Sequence, residues 1–458
     1  MGTIDELIQK LKSGDDAERA AAAEQLGRLR SLLVTEPLID ALQKDPSPMV
    51  RDAAARALGE NGDRRALQPL LDALNTDEVG LRQTVIRALR KLGDPRAIQP
   101  LANTLGNDPD RGVRYTAAYA LVALGDPRGI QPLIQALLQD SDSDQRQYAA
   151  LALGEISDPR ALDALATALL QDSESRVRQY AVYALGQLGD PSATDALITA
   201  LREDSDSIVR KYAAQALGKI GDRRAIQPLI QAFSADKETS VRAESANALG
   251  KIGDPKAIDA LSQTALNEDG EITIRVAAIG ALGNIRNPRS TETLIQALND
   301  DAWTIQYHAL DALGTLGDPN AIDALVQALY NAQKVVHLYD KLLKVAAKSL
   351  AKIKDPKALQ TLLKIANEAD EDSITGWWLR EAALEALAER REPEVIPVLI
   401  QALQDQNASV RTQAAIALQR HIHAHPDIIL KLPTEDQNRL GRLLQDQYFG
   451  ELQNELCK

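Results

Sequence analysis

A three-residue junction returns along this chain at an almost constant interval, and that interval restricts the fold before any other residue is considered. It reads Gly-Asp-Pro in most copies and Gly-Asp-Arg or Ser-Asp-Pro in others. Its aspartate falls at Asp63, Asp94, Asp126, Asp158, Asp190, Asp222 and Asp254. Asn287 holds the matching place next, followed by Asp318 and Asp355. The steps are 31 or 32 residues up to Asp254, then 33 and 31, then 37. A period in this range marks units too small to bury their own apolar faces, each of which is covered by its neighbour in a stack.

One unit, residues 159–190, shows what is stacked. Asp158 reads as a helix N-cap and Pro159 as the first helical position, where its missing N–H costs nothing. Leu162, Leu165 and Leu169 recur at helical spacing and predict a first helix ending at about Leu170. The polar run Gln171–Ser175 is a turn. A second helix then carries Val177, Ala181, Ala184, Leu185 and Leu188 on one side, and Gly189 ends it. Aromatics are only 3% of the chain, so small and unbranched side chains do the packing, which suits helices in close contact. The prediction is an all-α fold, an α-solenoid superhelix of about thirteen helix pairs with a concave face. Residues 1–31 are expected to form a capping repeat, 32–318 regular repeats, 319–424 longer irregular repeats, and 425–458 a helical cap and tail.

Several function classes recede at this stage. A net charge of −13 argues against a nucleic acid partner, which needs clustered Lys and Arg. No apolar run is long enough to insert in a membrane, and residues 1–12 lack the form of a secretory signal. Cys457 is the single cysteine, so no internal disulfide or iron–sulfur cluster can form, and a cytoplasmic location is expected. No phosphate-cradling loop and no nucleophilic triad has a recognisable pattern. No cofactor and no metal is therefore expected. In His421-Ile422-His423-Ala424-His425 no acidic or cysteine partner lies close, and a solvated helix end is expected there.

The runs VRQYAVYALGQLGD and DPRAIQPL resemble HEAT repeats, and within them the subgroup named after phycobilisome lyases. The resemblance extends from about residue 17 to 424. The regular array, the tyrosine stripe described below and the lack of a catalytic constellation point to a protein-binding scaffold whose concave groove takes a protein partner. The resemblance implies the alternative, a bilin lyase or bilin-handling chaperone acting on a phycobiliprotein, with a phycobilin as transferred ligand. The di-iron hydroxylase relatives use His-Glu pairs, and no histidine here precedes Glu. Tyr307-His308-Ala309 is similar to the Tyr-His-Cys of the isomerising members but lacks the cysteine. The resemblance implies Trp377, Trp378 and Arg380 as bilin contacts.

Three features stand out against the repeat. Arg51, Arg82, Arg114, Arg146, Arg178, Arg210, Arg242 and Arg275 open the second helices, and the acidic turns before them predict a ladder of ion pairs between repeats. The ladder lapses at Gln306 and Leu343 and resumes at Arg380. Secondly, at about 100° per residue, the positions one and five after the ladder arginine lie about 200° and 240° from Val177, on the far side from the core. Tyr115, Tyr119, Leu151 and Tyr183 occupy them and form a candidate binding stripe in the groove, while Tyr148, Tyr180 and Tyr212 fall at the edge of the core. Thirdly, Trp303, Tyr307, His308, Trp377, Trp378 and Arg380 cluster where the repeat lengthens and form a second candidate site. Trp377 and Trp378 cannot both face the core of one helix, which predicts exposure of at least one.

Overall fold

In the computed structural model, residues 4–125, 127–331, 339–368 and 374–424 are described. Among them are 26 α-helices, from α1 (Ile4–Ser13) to α26 (Ala408–Ala424), and no strand. First and second helices alternate, so 26/2 gives thirteen pairs, the number expected. Asp126, His337, His425, Cys457, the side chain of His423 and the expected cap at 425–458 lie outside the described residues. The chain forms two compact units, one ending at Asp222 and the other starting at Arg223.

Most first helices begin differently from the simple N-cap that the sequence suggests. Asp158 accepts a hydrogen bond from the Arg160 N–H at 2.9 Å, two residues on, which tightens Pro159–Ala161 into a 3-10 turn. The α-helix proper, α11 (Leu162–Gln171), starts only after that turn. Asp63, Asp94, Asp190, Asp254, Asn287 and Asp318 make the same bond two residues on. Glycine before the aspartate ends the second helix in a left-handed conformation, φ 67° at Gly189. In α11, Leu165 and Leu169 are buried, each worth about 2 kcal/mol relative to exposure.

The second helices pack through a seam of small residues. In the recurring Ala-Leu-Gly, the glycine of one repeat receives the alanine of the next. A Cβ on Gly27 of α2 (Asp16–Arg28) would stand 2.6 Å from the Ala57 Cα of α4 (Pro48–Asn61). A Cβ on Gly154 of α10 (Ser143–Ile156) would stand 2.8 Å from the Ala184 Cβ of α12 (Ser175–Leu188). The second unit repeats the device. Gly283 of α18 (Ile272–Ile285) faces Ala312 of α20 (Trp303–Leu316), and Gly314 faces Ser349 of α22 (Tyr339–Lys352). First helices of successive repeats touch far less, so within each unit the second helices form the tighter, inner row.

The arginine ladder joins the loops at one edge of this row. Arg82 pairs with Asp108 at 2.8 Å, Arg146 with Asp172 at 2.7 Å and Arg178 with Asp204 at 2.8 Å. Each aspartate also offers its main-chain carbonyl to the next arginine: Arg114 donates to Asp108 O at 2.9 Å and Arg178 to Asp172 O at 3.0 Å. Each of these loops is thereby clamped from both sides. Burial pushes the Asp172 carboxyl up, but hydrogen bonds from Arg146 and the Glu174 N–H outweigh it and leave the group below its ordinary value. Two further arginines belong to the ladder. Arg19 pairs with Asp45 at 2.8 Å, and Arg411 donates to Asp405 O at 2.8 Å.

Candidate functional site

Helices α8 (Arg111–Leu124), α10 and α12 place the expected stripe on one surface of the first unit. Tyr115, Tyr119 and Tyr183 are 42%, 50% and 45% exposed, although the other large apolar side chains of these helices are buried or half-buried. Leu151 is half-buried. Tyr148, Tyr180 and Tyr212 are all half-buried, at the margin of the core where angular counting puts them. Tyr148 reaches across to α8, its ring centroid 4.2 Å from that of Tyr115 with the planes tilted by 51°.

The surface opens next to this pair. In α6 (Val79–Leu92) the place of the seam glycine is taken by Arg90, and in α8 by Val122. Neither side chain lets the next helix approach as glycine does, and α6, α8 and α10 lie less closely together than α2 and α4. A recess of about 200 Å³ results, lined by Arg87, Arg90, Tyr115, Thr116, Tyr119 and Ala120. The Arg90 guanidinium stands over the Tyr119 ring, 5.1 Å from its centroid. The ladder yields at the same place: Arg114 of α8 lies 3.5 Å from Asp140, against 2.7–2.8 Å in the pairs around it. Sequence reasoning finds the tyrosines and misses Arg87 and Arg90. The break in Ala-Leu-Gly to Ala88-Leu89-Arg90 is the signal that finds them.

The residues of the second candidate site divide. Trp303 and Tyr307 of α20 line a recess of about 580 Å³ with a row of lysines on α22, Lys341, Lys344, Lys348 and Lys352. Three of these lysines are paired with acids, Lys344 with Glu381 at 3.6 Å, Lys348 with Glu385 at 2.8 Å and Lys352 with Asp311 at 2.6 Å. His308 meets Tyr307 edge to face, centroids 5.3 Å apart. Trp377 and Trp378 do not line that recess. They sit on α24 (Ile374–Leu387), both half-buried, with ring centroids 5.1 Å apart.

Arg380, where the ladder is expected to resume, is buried and paired with Asp405 at 2.8 Å. At Gln306 the ladder is halved. Its amide keeps the loop bond, donating to Asp300 O at 2.7 Å, and lacks the cation for the pair between repeats. His421 also differs from expectation. It is buried, with Nε2 at 3.1 Å from Leu387 O, because it continues the inward row of Val410, Ala414, Ala417 and Leu418.

Stacked helix pairs with a close inner row define an α-solenoid architecture. The chain belongs to the HEAT repeats, whose family model matches residues 4–84, 79–144, 130–216, 194–273, 263–337 and 375–438. The match is to HEAT repeats at large and lends no support to the phycobilisome-lyase subgroup. No curated protein matches this chain. Among solved structures it is similar to Kap121p, with a TM-score of 0.64 at 16% identity over 94% of this chain and 54% of that one. The karyopherin Kap121p bound to the extreme C-terminus of the protein phosphatase Cdc14p gives 0.62 at 16% identity, over 93% and 54%. Importin beta gives 0.51 at 18%, over 96% and 65%. The chain spans about half the length of Kap121p, and identities this low speak for the fold alone.

Proposed function

We propose that this chain is a binding scaffold rather than an enzyme, and that it takes a protein partner on the second-helix face of the unit ending at Asp222. The observation that carries this is the row of exposed tyrosines, Tyr115, Tyr119 and Tyr183, with Leu151 between them. Exposed aromatic surface set in a rigid inner row is what interfaces use for anchors, because tyrosine offers large contact area with few rotamers to freeze. The support from likeness is of the same kind. Kap121p, with a similar fold, is found bound to Ste12p, to Nup53p and to the extreme C-terminus of Cdc14p.

The test pairs two readouts on Tyr119→Ala/Tyr183→Ala. Partner capture, quantified against the wild type by mass spectrometry, is expected to fall about tenfold or more, the cost of losing aromatic anchors. The melting temperature is expected to stay within about 2 °C, because neither side chain is buried. A variant that unfolds would place these tyrosines in the core and refute the proposal, as would undiminished capture.

A further inference from the structure

The recess beside Tyr119 carries charge as well as aromatic surface. Arg87 is exposed and Arg90 is half-buried, and no acidic side chain lines the recess. Neighbouring cations are neutralised: Arg56 pairs with Glu24 at 3.0 Å and Asp52 at 2.7 Å, and Lys91 with Glu60 at 3.1 Å. Among the described residues no ion pair involves Arg87 or Arg90. Two uncompensated guanidiniums thus stand together on a chain whose net charge is −13. Arg90 is held in place by the Tyr119 face, so little of its conformational freedom remains to be lost when it binds.

From this geometry we infer that the recess recognises an acidic, extended segment of a partner protein. A carboxylate side chain of the segment is held by the Arg87 and Arg90 guanidiniums, and an adjacent apolar or aromatic side chain lies on Tyr115 and Tyr119. This rests on the tyrosine row being the partner surface and adds its chemistry. Guanidinium and carboxylate match as two parallel charge-assisted hydrogen bonds, while a basic segment meets only repulsion. The volume, about 200 Å³, suits one or two side chains of a peptide and falls below the ~300 Å³ where small-molecule sites begin.

The experiment is a selection of random dodecapeptides displayed on phage against the full chain, run in parallel against Tyr119→Ala, Arg87→Ala and Arg87→Ala/Arg90→Ala. Peptides enriched on the wild type are expected to combine Asp or Glu with an aromatic or aliphatic residue. Synthesised and labelled, they should lose about tenfold in affinity by fluorescence polarisation on the double arginine variant, and bind more weakly as NaCl rises from about 50 to about 200 mM. Enrichment of neutral or basic peptides that still depends on Tyr119 would overturn the acidic specificity and leave the tyrosine surface standing. Acidic peptides that bind the arginine variants undiminished would do the same. Enrichment indifferent to Tyr119 would overturn the surface itself. Arg87 is exposed, so its single variant keeps the test decisive even if the double variant is unstable.

Discussion

Two glycines of one helix, three residues apart, separate the packing role of glycine from its backbone cost. Gly280 and Gly283 both lie inside α18, where Gly→Ala gains about 1 kcal/mol of helix propensity. A Cβ at Gly280 meets nothing within 4 Å. A Cβ at Gly283 meets Ala312 Cα, Cβ and O, all at 2.9 Å, so α20 must move as backbone and not as a flexible side chain. Overpacking of that kind costs about 1–3 kcal/mol. Gly280→Ala is therefore expected to stabilise by up to about 1 kcal/mol, and Gly283→Ala to range from neutral to about 2 kcal/mol destabilising. At roughly 2–4 °C per kcal/mol for a unit of this size, the two melting temperatures should separate by several degrees. Long repeat arrays need not melt in one step, so the comparison is best read by calorimetry with hydrogen exchange on α18 and α20. Equal shifts in the same direction would show that the seam glycine is not there to admit its neighbour, and the close-row account of both units would fall.

The ladder and the junction caps give further expectations. Arg178 and Asp204 are both nearly buried, so Arg178→Met should strand a carboxylate and cost about 3 kcal/mol, with Asp204→Asn added on top recovering part of it. Breaking the exposed pair Arg289–Asp259 should cost about 0.5 kcal/mol, and equal costs in chemical denaturation would contradict the buried-clamp account. Hydrogen bonds from the Arg96 side chain, then from its N–H, hold the Asp94 carboxyl down to about 2, and Arg65 does the same for Asp63. A folded value below the ordinary ~3.9 means stability that is full above pH ~4 and lost as pH falls toward 2. With Arg96 largely in water the term is about 1 kcal/mol or less, and Asp94→Asn should flatten the melting-temperature profile between pH 4 and 2, which a thermal scan series can check.

The helix pairs were legible because their signals are local. A capping aspartate, a left-handed glycine and a leucine spacing all act within a few residues. What joins the pairs is less visible, since Gly27 meets Ala57 across a whole repeat. The Ala-Leu-Gly repetition is plain in sequence, yet its meaning needs the distance between helices. Glu18 stands before Arg19 where most members have valine, as Gln145 does before Arg146, and Val410-Arg411 carries the full mark, so both lie within reach of the pattern. Angular counting put Tyr115, Tyr119 and Tyr183 outside and Tyr148, Tyr180 and Tyr212 at the margin, because helix phase fixes direction. It could not assign Arg380, whose ladder spacing and tryptophan neighbours point to different roles until Asp405 is seen beside it. His421 follows the same logic: one further turn of α26 brings it inward, where the Leu387 carbonyl accepts a hydrogen bond from its Nε2.

A periodic array has a uniform surface, so any specific site must lie where the period is broken. The two units break it in opposite ways. In the first, the seam fails at Arg90 and Val122 while the loop ladder continues, stretched to 3.5 Å at Arg114 yet close again at Arg146. The edge holds the stack together, and the face opens between Arg90 and Tyr119. In the second, the seam persists through Gly314 and Ser349 while the ladder drops its cation at Gln306 and again at Leu343. There the helices stay close, and the altered surface comes instead from Trp303, Tyr307 and the paired lysines of α22. Losing both devices at one repeat would leave little but apolar burial to fix its neighbour. The α22 repeat comes nearest to that, with Leu343 for the arginine and Ala351 for the glycine, yet alanine is still small and the Gly314–Ser349 contact is kept.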